Sequence, residues 1–123
     1  MTVVRAIRGA ITVPANEREA ILAATGEMLA ELCARNDLDP ADLVSAFFTV
    51  TPDLSAAFPA EAARRRGWVD LPMMCATEIP VPGSLPLCVR VMLHVNSNKA
   101  QSEVNHVYLR DAVRLRPDLV GLR

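Results

Sequence analysis

The sequence predicts an α+β fold, in which one long helix packs on a mixed β-sheet. Three observations lead to this prediction: an opening segment rich in β-branched residues, one long stretch with helical spacing of apolar residues, and several short segments in which apolar and polar residues alternate. A strand, a long helix and then several strands with short helices imply an α+β sheet protein, with the long helix over one sheet face. At 123 residues, the chain is expected to form a single domain, 1–123.

The first predicted strand covers residues 3–13. It begins with Val3 and ends before Pro14, which cannot donate a ladder hydrogen bond. Side chains alternate between the two faces of a strand. Arg5 and Arg8 are therefore expected on opposite faces, with different roles.

The long helix is expected from about residue 17 to residue 35, closing near Asn36. Asn16, followed three residues later by Glu19, has the pattern of an N-cap with a capping-box partner. The apolar residues that follow recur at helical spacing, which predicts a stripe facing the sheet. That stripe consists of Ile21, Leu22, Thr25, Met28, Leu29, Leu32 and Cys33.

In the middle of the chain, the sequence predicts short helices and strands. Asp39 is expected to cap a single turn with Pro40 at its first position, before a strand over Leu43–Val50. Pro59 opens a short helix that stops at Gly67. A further strand is predicted over 68–74, followed by an irregular, proline-rich and therefore stiff stretch over 75–86.

Residues 87–95 show the clearest alternation in the chain. One face carries only apolar residues, namely Leu87, Val89, Val91, Leu93 and Val95. Arg90 lies on the other face between Cys88 and Met92, where an unpaired charge would be costly, so it is expected to meet an anion from the protein or from a ligand. From the strand alone, a structural carboxylate is the commoner partner.

The last part of the chain predicts a polar connection over 96–105 and two short strands, over Val107–Leu109 and Ala112–Leu115. Regular structure is expected to end at Arg116, which Pro117 follows.

Composition limits the function classes. The net charge of -1 argues against binding to nucleic acid or to a membrane surface, since both need a basic excess. An apolar share of 51% with 22% charged residues is high for a small monomer and favours association with another chain. The alternative is that a high alanine content raises the apolar share without adding much burial. The N-terminal sequence lacks the pattern of a signal peptide and no long apolar run is present, so a cytoplasmic location is expected. Three cysteines without CxxC spacing indicate neither a disulfide framework nor a zinc site.

Several short strings resemble one enzyme family. They are IRGAITV, TPDLSAAFPA, MCATEIPVPG, LCVRVML, NHVYL and LRPDL, in this order from Arg5 to Leu119. Together they resemble the AroH-class chorismate mutases, which isomerise chorismate to prephenate by one concerted rearrangement on the route to phenylalanine and tyrosine. The resemblance implies a homotrimer whose sheets pack into a barrel-like core, with clefts between subunits and with no metal and no cofactor.

The resemblance also implies roles for five residues. Arg90 would approach the ether oxygen and a carboxylate of chorismate, and Arg8 with Tyr108 would bind the enolpyruvyl carboxylate. Glu78 would accept the ring hydroxyl, assisted by Cys75. Without the resemblance, each has an ordinary structural interpretation, such as a surface charge, a core tyrosine or a buried thiol.

Further positions match the rim and the wall of the family's site. Arg64 and Arg116 would lie near its mouth and favour a dianion, while Phe58 and Leu115 would form the apolar wall. The chain departs from the family pattern at Glu61, where a lysine can occur, and at Met73-Met74, where smaller β-branched residues are common. A glutamate at the rim would weaken steering of a dianionic substrate.

Two other functions remain open from the sequence. One is a trimeric enamine or imine deaminase, in which a single cleft arginine binds the substrate carboxylate while water hydrolyses the imine. The other is a non-catalytic trimer that senses an aromatic-pathway metabolite. The first leaves Glu78, Cys75 and Tyr108 without a role, and the second uses the same residues as catalysis.

Overall fold

A computed structural model of the chain describes residues 2–115. Its one sheet has five strands in the order β3-β2-β4-β1-β5, and it carries two helices. The elements in chain order are β1 (Val3–Thr12), α1 (Arg18–Asn36), β2 (Leu43–Val50), α2 (Ala60–Arg65), β3 (Met73–Thr77), β4 (Cys88–Ser97) and β5 (Val107–Leu109). Strand β4 pairs antiparallel with β1 and β2, whereas β1–β5 and β2–β3 are parallel. The predicted mixed sheet of the α+β class is confirmed.

The core lies between α1 and one face of the sheet. Ile21, Met28 and Leu32 of the helix are fully buried, and the apolar face of β4 is buried as its alternation predicted. Leu87 is outside the strand and has a left-handed backbone. Helix α2 packs beside α1, and its Ala60 and Ala63 belong to the same core, so neither α-helix of residues 2–115 covers the other sheet face. Part of that face is left open for a binding site or for another chain.

Gly9 of β1 lies against α1, where there is little space for a side chain. A Cβ atom placed there would lie 2.8 Å from Leu32 Cδ1 and 3.2 Å from both Met28 Cγ and Val91 Cγ1. We expect Gly9→Ala to destabilise the fold by about 1–3 kcal/mol, because the added methyl group overpacks the core and forces the buried Leu32 side chain or its surroundings to shift. The thermal unfolding midpoint, measured at fixed protein concentration, should fall.

Gly26 provides the matched control. It lies inside α1, and a Cβ atom there would meet nothing within 4 Å. Gly26→Ala should therefore raise stability by roughly 0.5–1 kcal/mol through helix propensity. Equal effects of the two substitutions would contradict the packing of α1 on β1.

The predicted capping box at Asn16 is wrong. Helix α1 begins at Arg18, and its N-cap, Glu17, makes no side-chain hydrogen bond to the helix. Asn16 Oδ1 instead accepts hydrogen bonds from the backbone N–H groups of Ser55 and Ala56, at 2.9 and 3.0 Å. The Asn16 side-chain oxygen, which the local pattern assigned to the start of the helix, is thus bonded to a loop distant in sequence.

Other predicted boundaries hold. The helix closes at Asn36, followed by Asp37 in the left-handed conformation. Asp39 Oδ1 accepts from the N–H of Ala41 at 2.9 Å and so caps the short 3-10 turn Pro40–Asp42. Strand β2 has the predicted bounds.

The strand predicted over 68–74 is displaced toward the C-terminus. Trp68 is buried, but its N–H donates to Ala63 O at 3.1 Å and so belongs to the end of α2, after a turn at Gly67 with φ of 96°. Strand β3 covers Met73–Thr77 instead, which places Cys75 in a strand rather than in the irregular stretch.

The predicted strand over Ala112–Leu115 is also wrong. Arg110, with φ of 54°, turns the chain out of β5 into a 3-10 helix, Arg110–Leu115. This turn buries Ala112 in a small cluster with Ala10, Cys88 and Tyr108. Strand β4 runs two residues further than predicted, and a 3-10 turn, Gln101–Glu103, interrupts the polar connection. Arg116 and the residues after it lie outside the described part.

Among the described residues, no helix is long and apolar enough to cross a membrane.

Candidate active site

A cavity of about 370 Å³ opens on the sheet face opposite α1, and we call it the cleft. Residues paired across neighbouring strands share a face. The register pairs Ala10 with Arg90, Thr49 with Arg90 and Phe47 with Met92, which brings the open faces of β1, β2 and β4 together. The cleft is lined by Arg8, Gly9, Ala10, Phe47, Thr49, Glu78, Arg90, Val91, Met92, Tyr108 and Leu115.

Arg90 and Glu78 lie close to each other in the wall of the cleft. Arg90 Nε is 3.9 Å from Glu78 Oε2, and the two side chains are 45% and 26% exposed. The expected anion is therefore a protein carboxylate, but the separation is too long for a hydrogen bond. The guanidinium keeps donors available to a ligand in the cleft.

Backbone pairing places Glu78 in the cleft. It follows the last residue of β3, and its N–H donates to Val50 O at 2.8 Å, which continues the β2–β3 pairing. Its Oε2 accepts a hydrogen bond from the Thr49 hydroxyl at 2.6 Å. The proline-rich stretch begins only after this anchored residue.

Arg8 and Tyr108 come to the cleft from β1 and β5. Tyr108 pairs with Ala10 in the parallel register and is 6% exposed. The Arg8 N–H donates to His106 Nδ1 at 2.9 Å, which fixes the backbone of Arg8 beside β5. A guanidinium and a phenol thus face one cavity, as a carboxylate-binding pair would require.

The TPD string holds the start of β4. Thr51 Oγ1 accepts the N–H of Cys88 at 2.9 Å, and both Asp53 carboxylate oxygens accept the N–H of Leu87, at 3.0 and 3.2 Å. These bonds secure the left-handed backbone of Leu87, and they do so shortly before Arg90.

Cys88 lies under the cleft and is buried. Burial raises the pKa of the Cys88 thiol, and the positive charge of Arg90 offsets this effect only in part. The thiol is therefore protonated at neutral pH and is a poor nucleophile.

Three predicted site residues do not line the cleft within one chain. Cys75 pairs with Phe48, whose side chain is in the core, and packs half-buried against the same core. Phe58 is 70% exposed. Arg64 is exposed on α2, and Arg116 falls outside the described residues.

The departures from the family pattern have structural consequences. Glu61 is paired with Arg18, and Arg65 Nη2 lies 3.5 Å from Glu61 Oε2, so cations in the same chain balance this carboxylate. Met74 is 67% exposed and lies beside Phe47, on the cleft face. Met73 is half-buried and packs against the core.

Sequence reasoning missed Phe47, Thr49 and Met92 as lining residues. Met92 and Arg90 share one strand face, so alternation offered a signal for Met92. The other two required the register between β2 and β4, which the sequence does not give. Within residues 2–115, no group of three or more His, Cys, Asp or Glu side chains is arranged to hold a metal ion.

The mixed sheet and its cleft, with two guanidinium groups, a phenol and a carboxylate, define a protein suited to a small organic anion that carries a hydroxyl group. The model of the family described as chorismate mutase type I matches residues 4–119. The chain therefore belongs to the type I chorismate mutase family, and the resemblance of the short strings is confirmed.

Individual relatives agree with this assignment. The chain is 52% identical to chorismate mutase AroH of Thermus thermophilus over 117 residues, which are 94% of this chain and 96% of the relative. It is 43% identical to chorismate mutase AroH of Bacillus subtilis strain 168 over 117 residues, 94% and 92% of the two chains. A solved structure, the chorismate mutase from Clostridium thermocellum Cth-682, matches with a TM-score of 0.86 at 51% identity and covers 87% of this chain and 96% of that one.

Proposed function

We propose that this chain is an isomerase that converts chorismate to prephenate by a concerted rearrangement. The observation that carries the proposal is the Arg90 guanidinium, which lies in the cleft 3.9 Å from the Glu78 carboxylate while Arg8 and Tyr108 line the same cavity. Chorismate carries two carboxylates and a ring hydroxyl. The cleft offers cationic and phenolic donors for the carboxylates and one carboxylate acceptor for the hydroxyl.

Binding would select the compact conformer of chorismate. Arg8 and Tyr108 would hold the enolpyruvyl carboxylate, while Glu78 would accept a hydrogen bond from the ring hydroxyl. Fixing both ends brings the two reacting carbons together and removes much of the entropy cost of reaching the transition state. The reaction then needs no covalent intermediate and no proton transfer.

Arg90 would stabilise the transition state. Bond breaking runs ahead of bond making in this rearrangement, so negative charge develops on the ether oxygen. A fixed guanidinium beside that oxygen interacts more strongly with the transition state than with the substrate, which lowers the barrier.

The proposed assembly is a homotrimer with clefts between subunits. The open sheet face carries large exposed apolar side chains, including Phe47 at 39% and Met74 at 67%, and a second chain would bury them. In this assembly the neighbouring subunit would supply Phe58, Arg64 and Cys75, which do not line the cleft of their own chain. A cytoplasmic location stays a prediction.

Turnover of chorismate by the purified wild-type protein tests the proposal. We expect chorismate's ultraviolet absorbance to fall in step with the appearance of prephenate, identified by NMR, and the rate to be unchanged by a chelator. A folded oligomer that binds chorismate without converting it would instead favour the sensor. Release of ammonia from an imine substrate, with chorismate untouched, would favour the deaminase.

A further inference from the structure

Thr49 lies on β2 beside Glu78 and Arg90, which line the cleft with it. Its register partners are Arg90 on β4 and Ala76 on β3, and its side chain lines the cavity. Its hydroxyl donates to Glu78 Oε2 at 2.6 Å. Thr49 is therefore the strand residue that fixes the orientation of the carboxylate facing Arg90.

Glu78 is attached to β2 at two neighbouring points. Its N–H donates to Val50 O at 2.8 Å, and its Oε2 accepts from Thr49. With its backbone and the end of its side chain both tied to one strand, Glu78 loses most of its rotamer freedom. The cost of ordering this side chain is then met before a ligand arrives.

The oxygen that Thr49 holds is the one nearest to Arg90. Arg90 Nε is 3.9 Å from Oε2, whereas a charge-assisted hydrogen bond between such groups is typically about 2.7–2.9 Å long. Opposite charges this close attract each other, so a carboxylate without a restraint would close the gap. A direct ion pair between Glu78 and Arg90 would leave neither the carboxylate nor the guanidinium free to bind a ligand.

We propose that Thr49 is a positioning residue that holds the Glu78 carboxylate apart from Arg90 and turned toward the ligand. Oε2 is engaged by the Thr49 hydroxyl, which leaves Oε1 to accept the ring hydroxyl of the substrate. The Arg90 guanidinium in turn keeps its donors for the ether oxygen and a substrate carboxylate. This inference rests on the proposed function.

A pair of substitutions separates the hydroxyl of Thr49 from its shape. Thr49→Val keeps the volume and removes the donor, and we expect kcat/KM for chorismate to fall about 10- to 100-fold, in line with the cost of a misplaced catalytic group. Thr49→Ser keeps the donor and should stay within a few-fold of the wild type. Thr25→Val is the control, because it removes the hydroxyl of a buried threonine outside the cleft, one that donates to Ile21 O within α1 at 2.7 Å.

A double-mutant cycle tests whether Thr49 acts through Glu78. In a Glu78→Ala background, Thr49→Val should have no further effect on kcat/KM, because the group it positions is absent. The same fold loss in both backgrounds would overturn the proposal, and so would full activity of Thr49→Val in the wild-type background.

Crystal structures of the wild type and Thr49→Val give a readout that does not depend on turnover. We expect the shortest distance between the Arg90 guanidinium and the Glu78 carboxylate to shrink to about 2.7–3.0 Å in the variant. An unchanged carboxylate would overturn the positioning role. A wild type that fails to convert chorismate would overturn the proposed function, while this comparison would still decide whether Thr49 holds Glu78.

Discussion

Arg90→Ala is expected to reduce kcat/KM for chorismate on the order of a hundredfold to a thousandfold. This is the typical cost of removing one donor that stabilises developing negative charge. Most of the loss should appear in kcat, since the ether oxygen carries its charge only in the transition state. Arg90→Lys should recover little, because an ammonium group cannot hold two oxygens in the fixed geometry of a guanidinium. Initial rates from chorismate's absorbance provide the measurement.

Arg35→Ala is the matched control for the loss of one arginine. Arg35 has the same side-chain exposure, 45%, but it lies on α1 and pairs with Glu31, whose Oε2 is 2.8 Å from its Nε. It should leave turnover unchanged. Wild-type turnover in a folded Arg90→Ala variant would contradict the assigned role of Arg90.

Mixing two inactive variants should restore activity if the clefts lie between subunits. One chain would carry Arg90→Ala, and the other Phe58→Ala with Arg64→Ala. In randomly assembled trimers, about a quarter of the clefts combine the intact Arg90 side of one variant with the intact Phe58 and Arg64 side of the other. Co-expressed and purified mixed trimers should therefore reach roughly a quarter of wild-type kcat per site, from a level near zero for either variant alone.

The control mixture combines Arg90→Ala with Glu78→Ala. Both residues line the cleft of the same chain, so every mixed cleft retains one defect and no activity should return. Restoration in this control, or none in the first mixture, would contradict the proposed division of the cleft between subunits.

Strict alternation made β4 predictable from the sequence. One face of the strand is buried under α1, so a shift of one residue would expose four apolar side chains, namely Val89, Val91, Leu93 and Val95. This constraint is local and places Arg90 on the open face without knowledge of any partner. Alternation is a weaker guide at the ends of the strand. Leu87 fits the alternating pattern, but it lies outside β4.

Apolar composition misled the prediction at Trp68 and at Ala112. Both residues are buried, which the sequence suggested, but Trp68 follows the turn after α2 and Ala112 lies in a 3-10 helix. A short apolar run shows that a segment faces the core, not which backbone conformation it adopts there.

Contacts distant in sequence account for the features that were missed. Asn16 serves a loop 39 and 40 residues away, and Thr49 bonds a carboxylate 29 residues away. Neither distance can be read from the spacing of residue types. The strings around Arg8, Glu78, Arg90 and Tyr108 did point to one site, and the structure brings these four side chains to one cavity.

A crystal structure with a bicyclic dicarboxylic acid that mimics the rearranging conformer would show whether Arg90 faces the ether oxygen. We expect the analogue to fill the cleft, with Arg90 within hydrogen-bond distance of its ether oxygen. Glu78 should accept its hydroxyl, and Arg8 with Tyr108 should bind one carboxylate. An analogue bound elsewhere, or bound in the cleft with its ether oxygen facing away from Arg90, would show that Arg90 does not stabilise the transition state of this rearrangement.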